Sequence, residues 1–265
     1  MVTMAKEAYP DFSLHQYPIK KSMPDEKGFV ELLDVFGSDA TVVNAARVSF
    51  AKEIDSMGEK DVKLLRYLAK HNHVSPFFHP QIRFRIKMPI FVAREWYRHQ
   101  IGLSRNEVSR RYVDSEPECW VPAPDDVRER DAKAKQGSKE TSVDHVDDVH
   151  LLLKESIESS MKTYRMLLEA SVAPEIARVV LPQSMYTEFI ETGSLYAYAR
   201  ICALRLDPTA QKEIRTYASL VDDLLSKEFP HAWAALRLTF VPEKAATVAP
   251  KQQENIVINQ LNFIK

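Results

Sequence analysis

Arginine, serine, asparagine and glutamate crowd into one short run, Arg98–Tyr112, which reads RHQIGLSRNEVSRRY. From Arg94 to Arg111 there are five Arg (94, 98, 105, 110 and 111) against Glu95 and Glu107, a net charge of +3 in eighteen residues. Guanidinium groups recognise phosphates in a planar, bidentate way, and Ser104, Asn106 and Ser109 add short hydrogen-bonding arms. The chemistry on offer is therefore the grip of a phosphorylated ligand. The bland alternative is a solvated helix end laced with ion pairs, which is what most charge runs are. Against it, Gly102 interrupts the run, so the polar groups fall on a bend and not on a plain helical face.

The elements that must position this bend are legible around it. In QIRFRIKM, Ile82, Phe84, Ile86 and Met88 alternate with Gln81, Arg83, Arg85 and Lys87, which predicts a half-buried strand with one wet or partner-facing side. Pro89 stands at the first position of a helix in which Ile90, Ala93 and Tyr97 share a side and which ends near Gly102. Upstream, GFVELLDVF (Gly28–Phe36) is apolar on both faces and predicts a buried strand, after which Asp39 caps a helix through Ala45–Ala46. A helix from Lys60 to His71 aligns Val62, Leu65, Leu68 and Ala69, and stops before Pro76. Residues 125–140 hold five acids and five bases with almost no large apolar residue, so a solvated loop is expected there.

Downstream, Val146, Val149, Leu153, Ile157, Met161, Tyr164 and Leu168 recur at spacings of three and four, predicting a helix from Ser142 to Ala170 that serves as the spine of a helical layer. Pro174 opens a further helix that Pro182 closes; Tyr186–Glu191 suits a short strand; Ser194–Leu206 and Thr209–Lys227 read as two more helices. No internal repeat is visible. The pattern, a few strands and segregated helices, predicts an α+β class. Residues 1–24 read as an arm to which no fold is assigned, and 241–265 as an undecided tail.

Composition narrows the function. With 36 Lys+Arg against 37 Asp+Glu the chain is nearly neutral, which argues against bulk electrostatic binding of nucleic acid. No run approaches the roughly 18 consecutive apolar residues of a bilayer-spanning helix, and MVTMAKEAYPDF lacks a signal-peptide core, so a cytoplasmic protein without membrane attachment is expected. Cys119 and Cys202 match no metal-ligand spacing and read as buried or half-buried thiols; no metal is expected.

The motif resembles the signature of flavin-dependent thymidylate synthases: Arg-His-Arg, two residues, Ser, one, Asn-Glu, one, Ser, one, Arg. The chain matches it at Arg98, His99, Ser104, Asn106, Glu107, Ser109 and Arg111. KGFVELLDV, AARVSF, YLAKHNHVSPF, PIFVAREWYRH, EIARVVLP and LRLDPTAQKEI resemble further blocks of that family, in its order, from about Lys27 to Pro230. The resemblance implies a single α+β domain over residues 25–240, with a small, mainly antiparallel sheet and a helical layer, assembled as a homotetramer that converts dUMP to dTMP with FAD, 5,10-methylenetetrahydrofolate and NADPH. It implies flavin contacts at Ser49, His73, Ser75, Arg98, His99, Gln100 and Glu107, with Ser194, Tyr196 and Arg200 from a second region. It implies dUMP contacts at Glu95, Arg98, Glu107, Ser109, Arg110, Arg111, Arg178 and Arg205, with Arg205 the catalytic residue that favours ionisation at N3 of the uracil. Arg178, between Ala177 and Val179, is expected to be buried enough to need an anion.

The chain departs from the family at several points. Gln100 stands where the third motif residue is normally Arg, and three residues precede Ser104 where two are usual. Glu95 replaces a common Gln, and Ser194, Leu195 and Tyr196 replace Asn-Ala-Arg, with Arg200 where Asn is frequent. Arg200 or Arg105 are the candidates to restore the cation missing at Gln100. Two rivals stay open at this point: a nucleotide- or RNA-binding module that grips phosphates without catalysis, and a flavoprotein of the same fold that has lost methylation.

Overall fold

The computed structural model of the chain describes residues 17–113, 116–132 and 137–240. In chain order it runs through strands β1 (Ile19–Ser22) and β2 (Phe29–Phe36), helices α1 (Asp39–Arg47) and α2 (Glu59–Lys70), strand β3 (Gln81–Pro89) and helix α3 (Ile90–Trp96). Strands β4 (Leu103–Glu107), β5 (Arg128–Arg130) and β6 (Ser138–Ser142) precede helices α4 (Val146–Glu169) and α5 (Pro174–Ala177). Strand β7 (Tyr186–Ser194) and helices α6 (Leu195–Arg205), α7 (Lys212–Glu228) and α8 (Ala232–Phe240) follow. One sheet takes the order β1-β2-β3-β7-β4 with every pair antiparallel, and β5 and β6 make a separate ribbon. The expected α+β architecture is what the chain adopts.

Alternation in β3 decides which face of the sheet is dry. Ile82, Phe84, Ile86 and Met88 are fully buried and join Val30, Leu32 and Phe189 in one core with side chains of α2, α3, α6, α7 and α8. A cavity there is costly: Phe84→Ala would remove about 3–5 kcal/mol. On the other face Arg83 pairs with Asp34, Arg85 with Glu188 at 2.5 Å and Lys87 with Glu118. The wet side is thus a ladder of cations neutralised by neighbouring strands and loops.

Helix α6 is the centre of the helical layer. Leu195, Ala197, Tyr198, Ala199, Ile201 and Cys202 are all buried, which leaves little of its circumference to solvent. The expected spine, α4, is not one: of its 24 residues only Met161 and Tyr164 are buried, and Leu151 and Leu152 face outward. Its apolar stripe has the right period, but among the described residues it is fully covered only at Met161 and Tyr164.

Several local expectations need correction. Ser38 is the N-cap of α1, donating its backbone N–H to Thr41 Oγ1 at 2.9 Å. Asp39 caps a helix, but a distant one: its buried carboxylate accepts from the N–H groups of His231 and Ala232, both at 2.9 Å, at the start of α8. Pro89 closes β3 and serves as N-cap of α3, one residue earlier than read, because its extended backbone suits both ends. Ile19–Ser22, in the stretch given no fold, is an edge strand; residues 1–16 and 241–265 lie outside the described residues. The charged stretch 125–140 carries β5 and the start of β6, which also takes Ser142 from the expected long helix. Ion pairs such as Arg128 with Glu213 at 2.5 Å, and not apolar burial, hold that ribbon to α7.

Candidate active site

Helix α3 stops at Trp96, earlier than its apolar pattern suggested, and residues to Gly102 form the bend. Gly102 has φ +76°, a left-handed conformation that L side chains rarely adopt, so glycine is what lets the helix end feed β4. There the chain runs beside β7, with Leu103 opposite Gly193. A Cβ at Gly193 would sit 2.3 Å from Leu103 Cδ2, so this second glycine permits the close approach. The Arg-rich run is therefore half turn and half strand, and its polar groups divide between two places.

The first half lies in a cleft. Arg98, His99, Gln100, Ile101 and Leu103 line a cavity of about 250 Å³ with Ala197 and Arg200 of α6. Arg200 thus stands across from Gln100, whereas Arg105 is turned away and bound to Glu191, with its Nε at 2.6 Å. Of the two cations considered for the role lost at Gln100, Arg200 shares its cavity and Arg105 does not.

His99 is half-buried, and its Nε2 accepts a hydrogen bond from Arg205 Nε at 3.0 Å. Burial first, then the positive charges of Arg205, Arg200, Arg105 and Arg98, push its pKa down to about 4. The ring is neutral at pH 7 and, with Nε2 accepting, carries its proton on Nδ1. Arg205 is itself held by Glu95, through the backbone carbonyl at 2.7 Å and the carboxylate at 3.2 Å. Glu95 and Arg205 also line a polar cavity of about 630 Å³ with Arg128, Asp207, Lys212 and Arg215.

The second half of the run forms another cavity, of about 380 Å³, lined by Glu107, Ser109, Arg110 and Arg178 together with Met185 and Thr187. Glu107 accepts from Thr187 Oγ1 at 2.5 Å. Ser109 Oγ accepts from both Nε and the backbone N–H of Arg111 at 3.3 Å. Arg178 does reach this group, but the burial argued for it does not hold: its one-turn helix, Arg178–Val180, leaves it exposed, with Nε donating to Glu175 O at 3.4 Å. It is available to an anion because it is open, not because it is trapped.

The other expected residues are scattered. Ser49 lies in the exposed one-turn helix Val48–Phe50; His73 and Ser75 are exposed in the turn after α2. That turn is near the bend, since Phe78 packs 5.1 Å from Tyr196 and would lie 3.9 Å from a Cβ on Gly102. Tyr196 is engaged in this ring contact and a second with Phe240. Ser194 is buried, and its Oγ caps α6 by accepting from Ala197 N–H at 3.2 Å, so the hydroxyl implied as a flavin contact holds the helix start. Sequence reasoning passed over Thr187 and Glu191. Both fall on the inward phase of β7, where a polar side chain must have a partner, and that phase was the available signal.

Comparison with known proteins follows the same outline. The family model described as Thymidylate synthase complementing protein matches residues 31–231. The flavin-dependent thymidylate synthase of Thermosipho africanus is 41% identical over 211 residues, covering 79% of this chain and 91% of that protein. The chain belongs to the flavin-dependent thymidylate synthase family. The synthase of Thermus thermophilus is 40% identical over 210 residues, 79% of this chain and 76% of that protein. Among solved structures, the UMP/dUMP methylase PolB from Streptomyces cacaoi bound with 5-Br dUMP superposes with a TM-score of 0.71 at 32% identity, over 79% of this chain and 94% of that one.

A flavin-dependent thymidylate synthase is a methyltransferase whose flavin carries the redox step. Neither thiol here is poised for attack: burial raises the pKa of Cys202 and that of Cys119. Among the described residues no cluster of three or more His, Cys, Asp or Glu is placed to hold a metal ion, and no helix is long and apolar enough to cross a membrane.

Proposed function

We infer that the chain converts dUMP to dTMP, taking its carbon from 5,10-methylenetetrahydrofolate and its reducing equivalents from NADPH through FAD. The observation that carries this reading is the division of the Arg-rich run at Gly102 into two cation-lined cavities joined by one short strand. Two such cavities suit a dinucleotide and a mononucleotide held side by side.

FAD fits the first cavity by its donor set. Arg98 and Arg200 offer charge to phosphates, Gln100 and the Nδ1–H of His99 offer hydrogen bonds, and Ile101 and Leu103 offer an apolar wall. Bound there, FAD would supply the hydride that completes the methyl group. In the second cavity Ser109, Arg110 and Arg178 hold the phosphate of dUMP, with Arg111 beside them through its contact to Ser109, while Glu107, steadied by Thr187, closes its edge. Arg205, oriented by Glu95 and His99, stabilises negative charge that develops on the pyrimidine. A guanidinium fixed before the reaction costs no reorganisation during it. Ser49, His73 and Ser75 contribute to the flavin from a neighbouring surface.

A cavity of about 250 Å³ is below the roughly 300–1,000 Å³ that encloses drug-sized ligands, and FAD is larger still. The protomer must be completed by another. Large apolar side chains beside the candidate residues support a homotetramer: Val48 (73% exposed) and Phe50 (74%) flank Ser49, Ile101 (69%) follows Gln100, and Val179 (78%) follows Arg178. A partner that covered them would close the sites in the same act. The catalytic domain includes the edge strand Ile19–Ser22 and runs on to residue 240, and it works in the cytoplasm on soluble co-substrates.

The deciding experiment is a flavin absorbance spectrum of the purified protein followed by dTMP formation from dUMP, with UMP run in parallel. A protein that binds no flavin, or binds it and forms no methylated nucleotide, would remove the reading.

A further inference from the structure

Arg105 and Glu191 face each other across β4 and β7, 86 residues apart in sequence. Glu191 is completely buried; its Oε2 accepts from Nε and Nη2 of Arg105, and its Oε1 accepts from Trp96 Nε1 at 3.1 Å. The guanidinium lies over the Tyr97 ring, 4.4 Å from its centroid, and its Nη2 also donates to the backbone carbonyl of His99 at 3.3 Å. One side chain thus ties the buried layer to the bend between α3 and β4.

A buried ion pair is a poor device for stability alone, because the desolvation of two charges offsets most of their attraction, and apolar residues of similar volume often do as well. What the pair supplies that an apolar pair would not is a directed hydrogen bond to His99. The bend needs such an anchor, since Arg98, Gln100 and Ile101 are exposed.

We propose that Arg105, held from behind by Glu191, is a positioning residue that fixes the His99–Gly102 bend and thereby the flavin-facing groups Arg98 and His99. The proposal rests on the reading of that cleft as the flavin site. Arg105 acts through the His99 carbonyl and touches no substrate. In this chain the guanidinium absent at Gln100 has its counterpart not only in Arg200, in the cleft, but in a cation placed under the bend.

The test uses the full chain and FAD as probe. Arg105→Met/Glu191→Gln removes both charges together and keeps an oxygen to accept from the buried Trp96 Nε1, so it is expected to fold with near-native thermal stability. Its FAD dissociation constant, from quenching of flavin fluorescence, should rise about ten- to a hundredfold, the range for partners that orient contacting groups. The visible circular dichroism of the bound flavin should change with it. FAD affinity within about twofold of wild type, with an unaltered flavin dichroism, would overturn the proposal and leave the pair a structural filler. Should the double variant fail to fold, Arg105→Lys decides: it keeps the charge on Glu191 but cannot also reach His99, so weaker FAD binding at native stability supports the proposal and native binding overturns it. Wild-type protein that takes up no FAD would instead sink the reading of the cleft, a result distinct from either.

Discussion

The Nε of Arg205 donates to Nε2 of His99 at 3.0 Å, so one residue of the bend and one at the end of α6 fix each other's orientation. A permanently charged donor on that nitrogen excludes a proton there and keeps the imidazole neutral.

Removal of the donor should therefore release the ring. In Arg205→Met the His99 pKa is expected to climb from about 4 toward the ordinary value of about 6.5. Imidazole chemical shifts followed against pH would read it directly; no movement would mean that burial and the remaining arginines set the pKa without Arg205. The sign for stability follows from linkage. Because the folded pKa is depressed, the unfolded chain takes up this proton first, and the folded state loses stability as pH falls from about 6.5 to about 4. His99→Gln should flatten that part of a chemical-denaturation profile.

Arg178 and Arg205 should fail differently. Arg178→Ala removes a phosphate partner present in ground and transition states alike, so dUMP binding should weaken while turnover at saturation persists. With a charged hydrogen bond worth about 1.5–3 kcal/mol, the loss is roughly ten- to a hundredfold. Its exposure and single long contact to Glu175 mean the fold should be indifferent. Arg205→Ala should mainly lower the maximal rate. Equal effects of the two on turnover at saturating dUMP would count against the roles assigned.

No protein side chain should become bonded to the nucleotide. Cys202 is sealed in the core beside the backbone of Ala218, and Cys119, bridged to Met185, is half-buried with its thiol pKa pushed up by that burial. Cys119→Ala/Cys202→Ala should keep most dTMP synthesis, and mass spectrometry of a quenched reaction should find no adduct at Cys119, Cys202 or Ser109.

Assembly should govern flavin uptake. Light scattering is expected to give four copies of the chain, and charge placed on the exposed leucines of α4, as in Leu151→Glu/Leu152→Glu, should lower the mass and the FAD content together. A monomer of 30.4 kDa with full FAD occupancy would refute the shared site.

How much of this was legible beforehand depended on the range of the forces involved. The period-two pattern of Gln81–Met88 and the proline-bounded segment 174–182 were readable because local alternation and a missing N–H act within a few residues. Strand β4 was not, for LSRNE has no alternation and is a strand only because β7 lies beside it. Asp39 was read as capping its own helix because its partners at His231 and Ala232 are invisible to any local rule. In the site, the residue types of the bend were plain from the sequence, but which cation faces which cavity depended on the inward phase of β7. Glu191 claims Arg105 and leaves Arg200 in the cleft.

Sheet order also sets a timetable. Strand β4 is hydrogen-bonded to β7 and to no other named strand, and the cross-strand pair Arg105 and Glu191 is separated by 86 residues. Until β7 has emerged from the ribosome, β4 has no strand to join, while β1, β2 and β3 can already pair. Contacts of such long sequence separation form slowly and late. The nascent chain therefore assembles its scaffold first and the strand between the two candidate cavities last, and a chain whose β4 has not yet joined β7 should bind neither FAD nor dUMP.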